Sequence, residues 1–136
     1  MTDMQEITKE IERLHRFFED WYNGVGDRTI DEFADSLDDG FYIISPAGEV
    51  SDKEGIVEMV RTHSGTGEVE IRIENVELPG WDEPGVRIAT YAEHQVRSTG
   101  YTVMISTVGL IADSTRPAGF RWLFVHETWL VAPDGT

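Results

Sequence analysis

The stretch Phe120-Arg121-Trp122-Leu123-Phe124-Val125-His126-Glu127-Thr128-Trp129-Leu130 decides how the rest of the chain is read. It is rich in β-formers and aromatics and is apolar at both parities. A strand with one wet face alternates, so a strand that does not is expected to be covered on both sides. His126 and Glu127 must point to opposite faces, because successive strand side chains alternate. The stretch is therefore read as the core strand and as the carrier of any site.

Working outward, Val86 to Arg97 and Tyr101 to Ala112 form two further strands joined by the tight turn Ser98-Thr99-Gly100. The loop around Arg116-Pro117-Ala118-Gly119 leads into the core strand. Upstream, Val69, Ile71 and Ile73 alternate with Glu70, Arg72 and Glu74, the pattern of a half-exposed strand. The parity shifts at Asn75, which predicts a β-bulge, and residues 79–85 read as a loop. Phe41 to Ser45 is a strand closed by Pro46-Ala47-Gly48, and Ser51 with Glu54 makes a capping box for a helix reaching about Thr62. Thr29 with Glu32 caps a short helix that buries Ile30, Phe33, Ala34 and Leu37 and ends in the turn Asp38-Asp39-Gly40. Ahead of it, Ile7, Ile11, Leu14, Phe17 or Phe18, and Trp21 trace the apolar stripe of a long helix, with a cap at Thr2 and Gln5 and a stop at Gly24. The order α-α-β-α-β-β-β-β predicts one α+β domain over residues 1–136, a curved antiparallel sheet wrapped around the N-terminal helices.

Charge narrows the function classes. Against 26 acidic residues stand 11 basic ones, of which only Lys9 and Lys53 are lysines, and the net charge is −15. Such a field repels nucleic acid and anionic membranes. An acidic, lysine-poor surface is also the usual adaptation to a salt-rich, halophilic cytoplasm, where self-repulsion is screened. There are no cysteines, hence no disulfide, thiol nucleophile or thiolate metal site. The N-terminus lacks the pattern of a signal peptide, and the most apolar run, Tyr101 to Ala112, is too short to span a bilayer. The expectation is a soluble cytoplasmic protein.

Two local motifs add a resemblance. The segment from Phe41 through Pro46-Ala47-Gly48 to Ser51-Asp52-Lys53 resembles the strand, Pro-x-Gly turn and capped helix of small SnoaL-like proteins. Trp122-x-x-Val125-His126 is similar to the end of their last strand, and to the kinase association domain. Together with the element order, these resemble the nuclear transport factor 2-like superfamily, which includes ketosteroid isomerase and scytalone dehydratase. The resemblance implies a cone-shaped fold with an internal cavity. Many relatives carry a second histidine and a serine at the positions held here by Thr128 and Leu130, and isomerase roles are not carried over.

The site expectation rests on strand register. If Thr99-Gly100 is the hairpin turn, Glu93 faces Ser106, and a plausible next register sets Ser106 opposite His126. Tyr91, Glu93, Gln95, Met104, Ser106, Phe124, His126 and Thr128 then share one face. On this reading His126 is a general acid or base tuned by Glu93, and Trp122, Phe124, Ser106, Met104, Tyr91 and Thr128 bind the ligand. A slip of one residue would instead align His126 with His94. His126 could equally be a core histidine satisfied by Glu93 or Ser106. His15 reads as a helix-flank residue and His63 as a helix-end residue. No histidine spacing suits a metal, and no cofactor is implied. An acid–base enzyme of isomerase, dehydratase or cyclase type, a non-catalytic binder and an assembly domain all remain open. Val103, Ile105, Leu123, Val125 and Trp129 on the opposite, convex face predict a homodimer burying about 800 Å² per partner.

Overall fold

The computed structural model describes residues 3–78 and 85–133. The expected cap at Thr2 and most of the loop at 79–85 lie outside those residues. Three helices, α1 (Asp3–Asn23), α2 (Ile30–Ala34) and α3 (Lys53–Arg61), accompany six strands. The strands are β1 (Leu37–Ile44), β2 (Val50–Asp52), β3 (Glu70–Glu77), β4 (Val86–Arg97), β5 (Gly100–Ala112) and β6 (Phe120–Val131). They form one open sheet in the order β2-β1-β6-β5-β4-β3.

The central position of β6 explains its composition, since it is paired on both edges and has both faces partly covered. It runs antiparallel to β5 but parallel to β1, so the sheet is mixed, not wholly antiparallel as expected. The parallel pair was hidden because β1 and β6 are far apart in sequence, with most of the sheet between them. Two local expectations also change. Asp38-Asp39-Gly40 is not a turn but the irregular start of β1, and its register against β6 shifts between Leu37 and Tyr42. The N-cap of α3 is Asp52, which accepts the Gly55 N–H at 2.8 Å, in place of Ser51. The bulge expected at Asn75 is present: φ is 57° there and the β3–β4 register shifts between Glu74 and Glu77.

Helix α1 lies across the concave side of the sheet because its stripe of Ile7, Ile11, Leu14 and Phe17 meets Val108, Leu110 and Trp122 in one buried cluster. Polar anchors fix its pose. Asn23 donates Nδ2–H to the Val69 carbonyl at 2.9 Å and accepts the Val69 N–H at 2.7 Å, and Glu19 accepts the Ile71 N–H at 2.7 Å. Near the other end, buried Glu10 accepts the Trp122 indole N–H at 2.9 Å and a fork from Arg13 at 2.7 and 2.8 Å. Arg13 also donates to Ser36 Oγ at 2.8 Å. A buried carboxylate with all these donors is satisfied, and breaking the set would leave it unpaired.

Candidate functional site

The β4–β5 hairpin pairs Arg97 with Gly100, so its turn residues are Ser98 and Thr99 and not Thr99-Gly100. That offset is two residues, and a two-residue offset preserves parity. Tyr91, Glu93, Met104 and Ser106 therefore keep the face expected of them, although Glu93 faces Met104 and Ser106 faces Tyr91.

The β5–β6 register differs by one, and that reverses every side chain on this part of β6. Ser106 pairs with Glu127, and His126 pairs with Thr107. His126 thus lies on the outer face, exposed, with Nε2 3.2 Å from Tyr42 Oη in a hydrogen bond. Phe124 and Thr128 go with it. The expectation of His126 inside the cone is overturned, and so are those for Phe124 and Thr128. A second register shift, between Gly109 and Leu110, returns Trp122 to the concave side. Gly109 makes room on the outer face: a Cβ there would lie 2.4 Å from the Phe124 ring. His94 also misses the cavity, and its Nδ1 hydrogen-bonds Tyr101 Oη. The expected apolar outer face is altered as well. Val125 is buried on the cavity side, and Trp129 pairs with Met104.

Between α1 and the concave sheet lies a cavity of about 320 Å³. Its walls are mainly apolar, from Leu14, Phe18, Phe33, Ile43, Ile56, Val60, Met104, Trp122 and Val125. Its polar lining comes from His15, Tyr22, Ser45, Glu49, Ser51, Tyr91, Glu93, Gln95 and Glu127. Of the expected site residues, Tyr91, Glu93, Met104 and Trp122 line it. Ser106 is fully buried beside them, paired across the ladder with Tyr91.

His15 organises the polar end. It donates Nδ1–H to the Ile11 carbonyl at 2.7 Å and Nε2–H to Glu93 Oε1 at 3.0 Å. An acceptor at each nitrogen favours the imidazolium form of the ring. Burial, the largest single influence, would lower its pKa, but the charge and hydrogen bond of Glu93 together with the Ile11 carbonyl outweigh it and raise the pKa. Burial likewise opposes the ionised form of Glu93, and His15, with the Gln95 hydrogen bond and the Arg97 charge, overcomes it and holds Glu93 below its ordinary value. Gln95 donates its amide N–H to Glu93 Oε2, completing the shell.

Glu127 has no such shell. Its carboxyl makes no hydrogen bond to another described residue, and burial followed by the charge of Glu93 pushes its pKa up to about 7. Burial and Glu93 also push the Tyr22 phenol up to about 12 and raise the Tyr91 phenol well above its ordinary value. The cavity thus combines a fixed ion pair, two neutral phenols and one carboxyl able to change protonation near neutrality.

Sequence reasoning missed His15 and Glu127. The signal for His15 was present: Ile11, His15, Phe18 and Tyr22 recur at four, three and four residues, a second inward row beside the apolar stripe. For Glu127 the signal was parity, since it must face away from His126.

The α1 helix folded against an open, coiled six-stranded sheet, with the cavity between them, is a known arrangement. A nuclear transport factor 2-like protein of unknown function from Pseudomonas aeruginosa superposes with a TM-score of 0.83 at 25% identity, over 91% of this chain and 98% of that one. The chain is a nuclear transport factor 2-like superfamily member by its fold. The S. rosetta CaMKII hub gives a TM-score of 0.74 at 12% identity, over 95% of this chain and 98% of that one. A ketosteroid isomerase-like protein from Erwinia carotovora atroseptica gives 0.54 at 9% identity, over 76% and 82%. No family model and no curated protein matches the sequence. Among the described residues no helix is long and apolar enough to cross a membrane, and no group of His, Asp or Glu side chains could hold a metal ion.

Proposed function

We propose that this superfamily member holds a small, partly apolar molecule inside the cone. The observation that carries the reading is the cavity itself. Its volume of about 320 Å³ falls at the small end of ligand sites, roughly 300–1,000 Å³. Apolar walls with a few convergent polar groups are the usual make-up of such a site. The test is to titrate a neutral probe, cyclohexylmethanol, against methyl-labelled protein. The Leu14, Ile56 and Val60 methyl resonances should move while that of exposed Val131 stays. If only exposed methyls respond, the cavity is not a binding site.

A second reading, acid–base catalysis of isomerase, dehydratase or cyclase type, is supported by Glu127. A carboxyl without a hydrogen-bond partner that ionises near neutrality suits proton transfer, and the ion pair beside it is already oriented. Glu127→Gln should then abolish turnover of a substrate while leaving its binding nearly unchanged.

The hub likeness and the exposed Tyr42 and Ile105 on the outer sheet face support self-association through that face. A monomer mass by light scattering in molar salt would overturn this part.

A further inference from the structure

We infer that the cavity selects a small organic cation, an ammonium group on a compact apolar body, with the charge at Glu127 and the body against the aliphatic and aromatic walls. The inference rests on the reading of the cavity as a binding site and names the ligand's charge.

The donors and acceptors of the lining favour that charge. The ionisable groups there are His15, Glu49, Glu93 and Glu127, with the phenols Tyr22 and Tyr91, and no lysine or arginine joins them among the described residues. The one basic group is already committed. His15 gives one N–H to the Ile11 carbonyl and the other to Glu93, and its charge is balanced by that carboxylate. Gln95 gives an amide N–H to Glu93 as well. Arg97, whose charge is felt at Glu93 and Tyr22, donates to Gln95 Oε1 at 2.7 Å. Among the described residues an anionic ligand would therefore meet no unpaired cationic group in the lining, and it would face two further carboxylates, Glu49 and Glu127.

Glu127 is the group that a cation would neutralise. Ionised, the side chain is an acceptor only, and no described residue donates to it. A partly buried carboxylate without a donor is costly, and a ligand that brings a donor and an opposite charge removes that cost. A neutral alcohol brings the donor without the charge. The net charge of −15 acts in the same direction at longer range by concentrating cations around the molecule.

The experiment uses three probes of matched shape: cyclohexylmethylamine, cyclohexylmethanol and cyclohexanecarboxylate. They are titrated into the full chain at mildly alkaline pH, with cavity methyl resonances as the readout. The amine should bind about tenfold more tightly than the alcohol, as one charge-assisted hydrogen bond allows, and the carboxylate most weakly. Glu127→Gln should remove the preference, leaving the amine and the alcohol with similar affinities. This change removes a charge from an apolar setting, so the variant is expected to fold. The wild-type ranking is in any case independent of it. If the alcohol binds as well as the amine, or the carboxylate binds best, the cation inference falls and the binding cavity stands. If none of the three moves a cavity methyl, both readings fall.

Discussion

His15 Nε2 lies 3.0 Å from Glu93 Oε1, joining α1 to β4 across 78 positions of sequence, with only 4% and 7% of the two side chains exposed. Each charge answers the desolvation of the other, so neither residue can be replaced alone without cost. Glu93→Leu or His15→Leu should each destabilise the fold by about 3 kcal/mol, because the partner is left charged and unpaired. The double variant should lose much less than the sum of the two. Urea unfolding of the four proteins measures this coupling, and additive losses would contradict the pair. The pH window follows from the signs. His15 has a folded pKa raised above its ordinary 6.5, so its contribution is whole below that value and fades as pH climbs through the raised one. Glu93 has a lowered folded pKa, so its contribution is whole above 4.5 and fades as pH falls through the lowered one.

Glu127 acts in the other sense from Glu93. Its folded pKa of about 7 stands above the ordinary 4.5, so the folded state holds this proton more tightly than the unfolded chain. Stability should therefore fall as pH rises between those two values and then level off. The loss from this one group is on the order of 3 kcal/mol. Glu127→Gln should remove that slope and make the protein more stable than wild type above pH 7. Equal slopes for the two proteins in urea midpoints against pH would show that the Glu127 carboxyl is solvated.

How much of this was legible in the sequence depends on the kind of signal. The helices, the strands and the α+β class follow from local periodicity, which any window of the chain carries. The face shared by Tyr91, Glu93 and Met104 also survived, because the hairpin register differed by an even number. The face of His126 did not, because the β5–β6 register is set by bulges that no local pattern marks. One residue of offset exchanged His126 for Glu127. The partner of Glu93 was out of reach for a different reason. His15 is on another element, and only the packing of α1 across the sheet brings the two together.

Gly109 and Phe124 make the bulge testable. The Phe124 ring covers the Gly109 backbone and stacks on Tyr42 at 5.9 Å between centroids. Gly109→Ala would place a methyl 2.4 Å from that ring, so the ring must swing outward. The expected loss is about 1–2 kcal/mol, at the low end for overpacking because Phe124 is only partly buried. Phe124→Leu in the same chain should recover most of it. A Gly109→Ala variant as stable as wild type in thermal unfolding would mean that the ring is free to leave.

The last expectation concerns salt. With 26 acidic and 11 basic residues, surface repulsion outweighs the pairs that salt would weaken, such as Arg28 with Asp20 and Glu32. Exposed pairs of this kind contribute roughly 0–1 kcal/mol each. Screening therefore stabilises on balance, and the Debye length falls to about 3 Å at 1 M salt. The melting temperature should rise by at least about 5 °C from low to molar KCl, equivalent to roughly 1–2 kcal/mol for a chain of this size. Glu6, Glu12, Glu54 and Glu68 are all exposed, and changing the four to lysine should flatten the rise by reducing the repulsion itself. If the quadruple variant keeps the full salt response, the stabilisation comes from salt acting on apolar burial and not from the acidic surface.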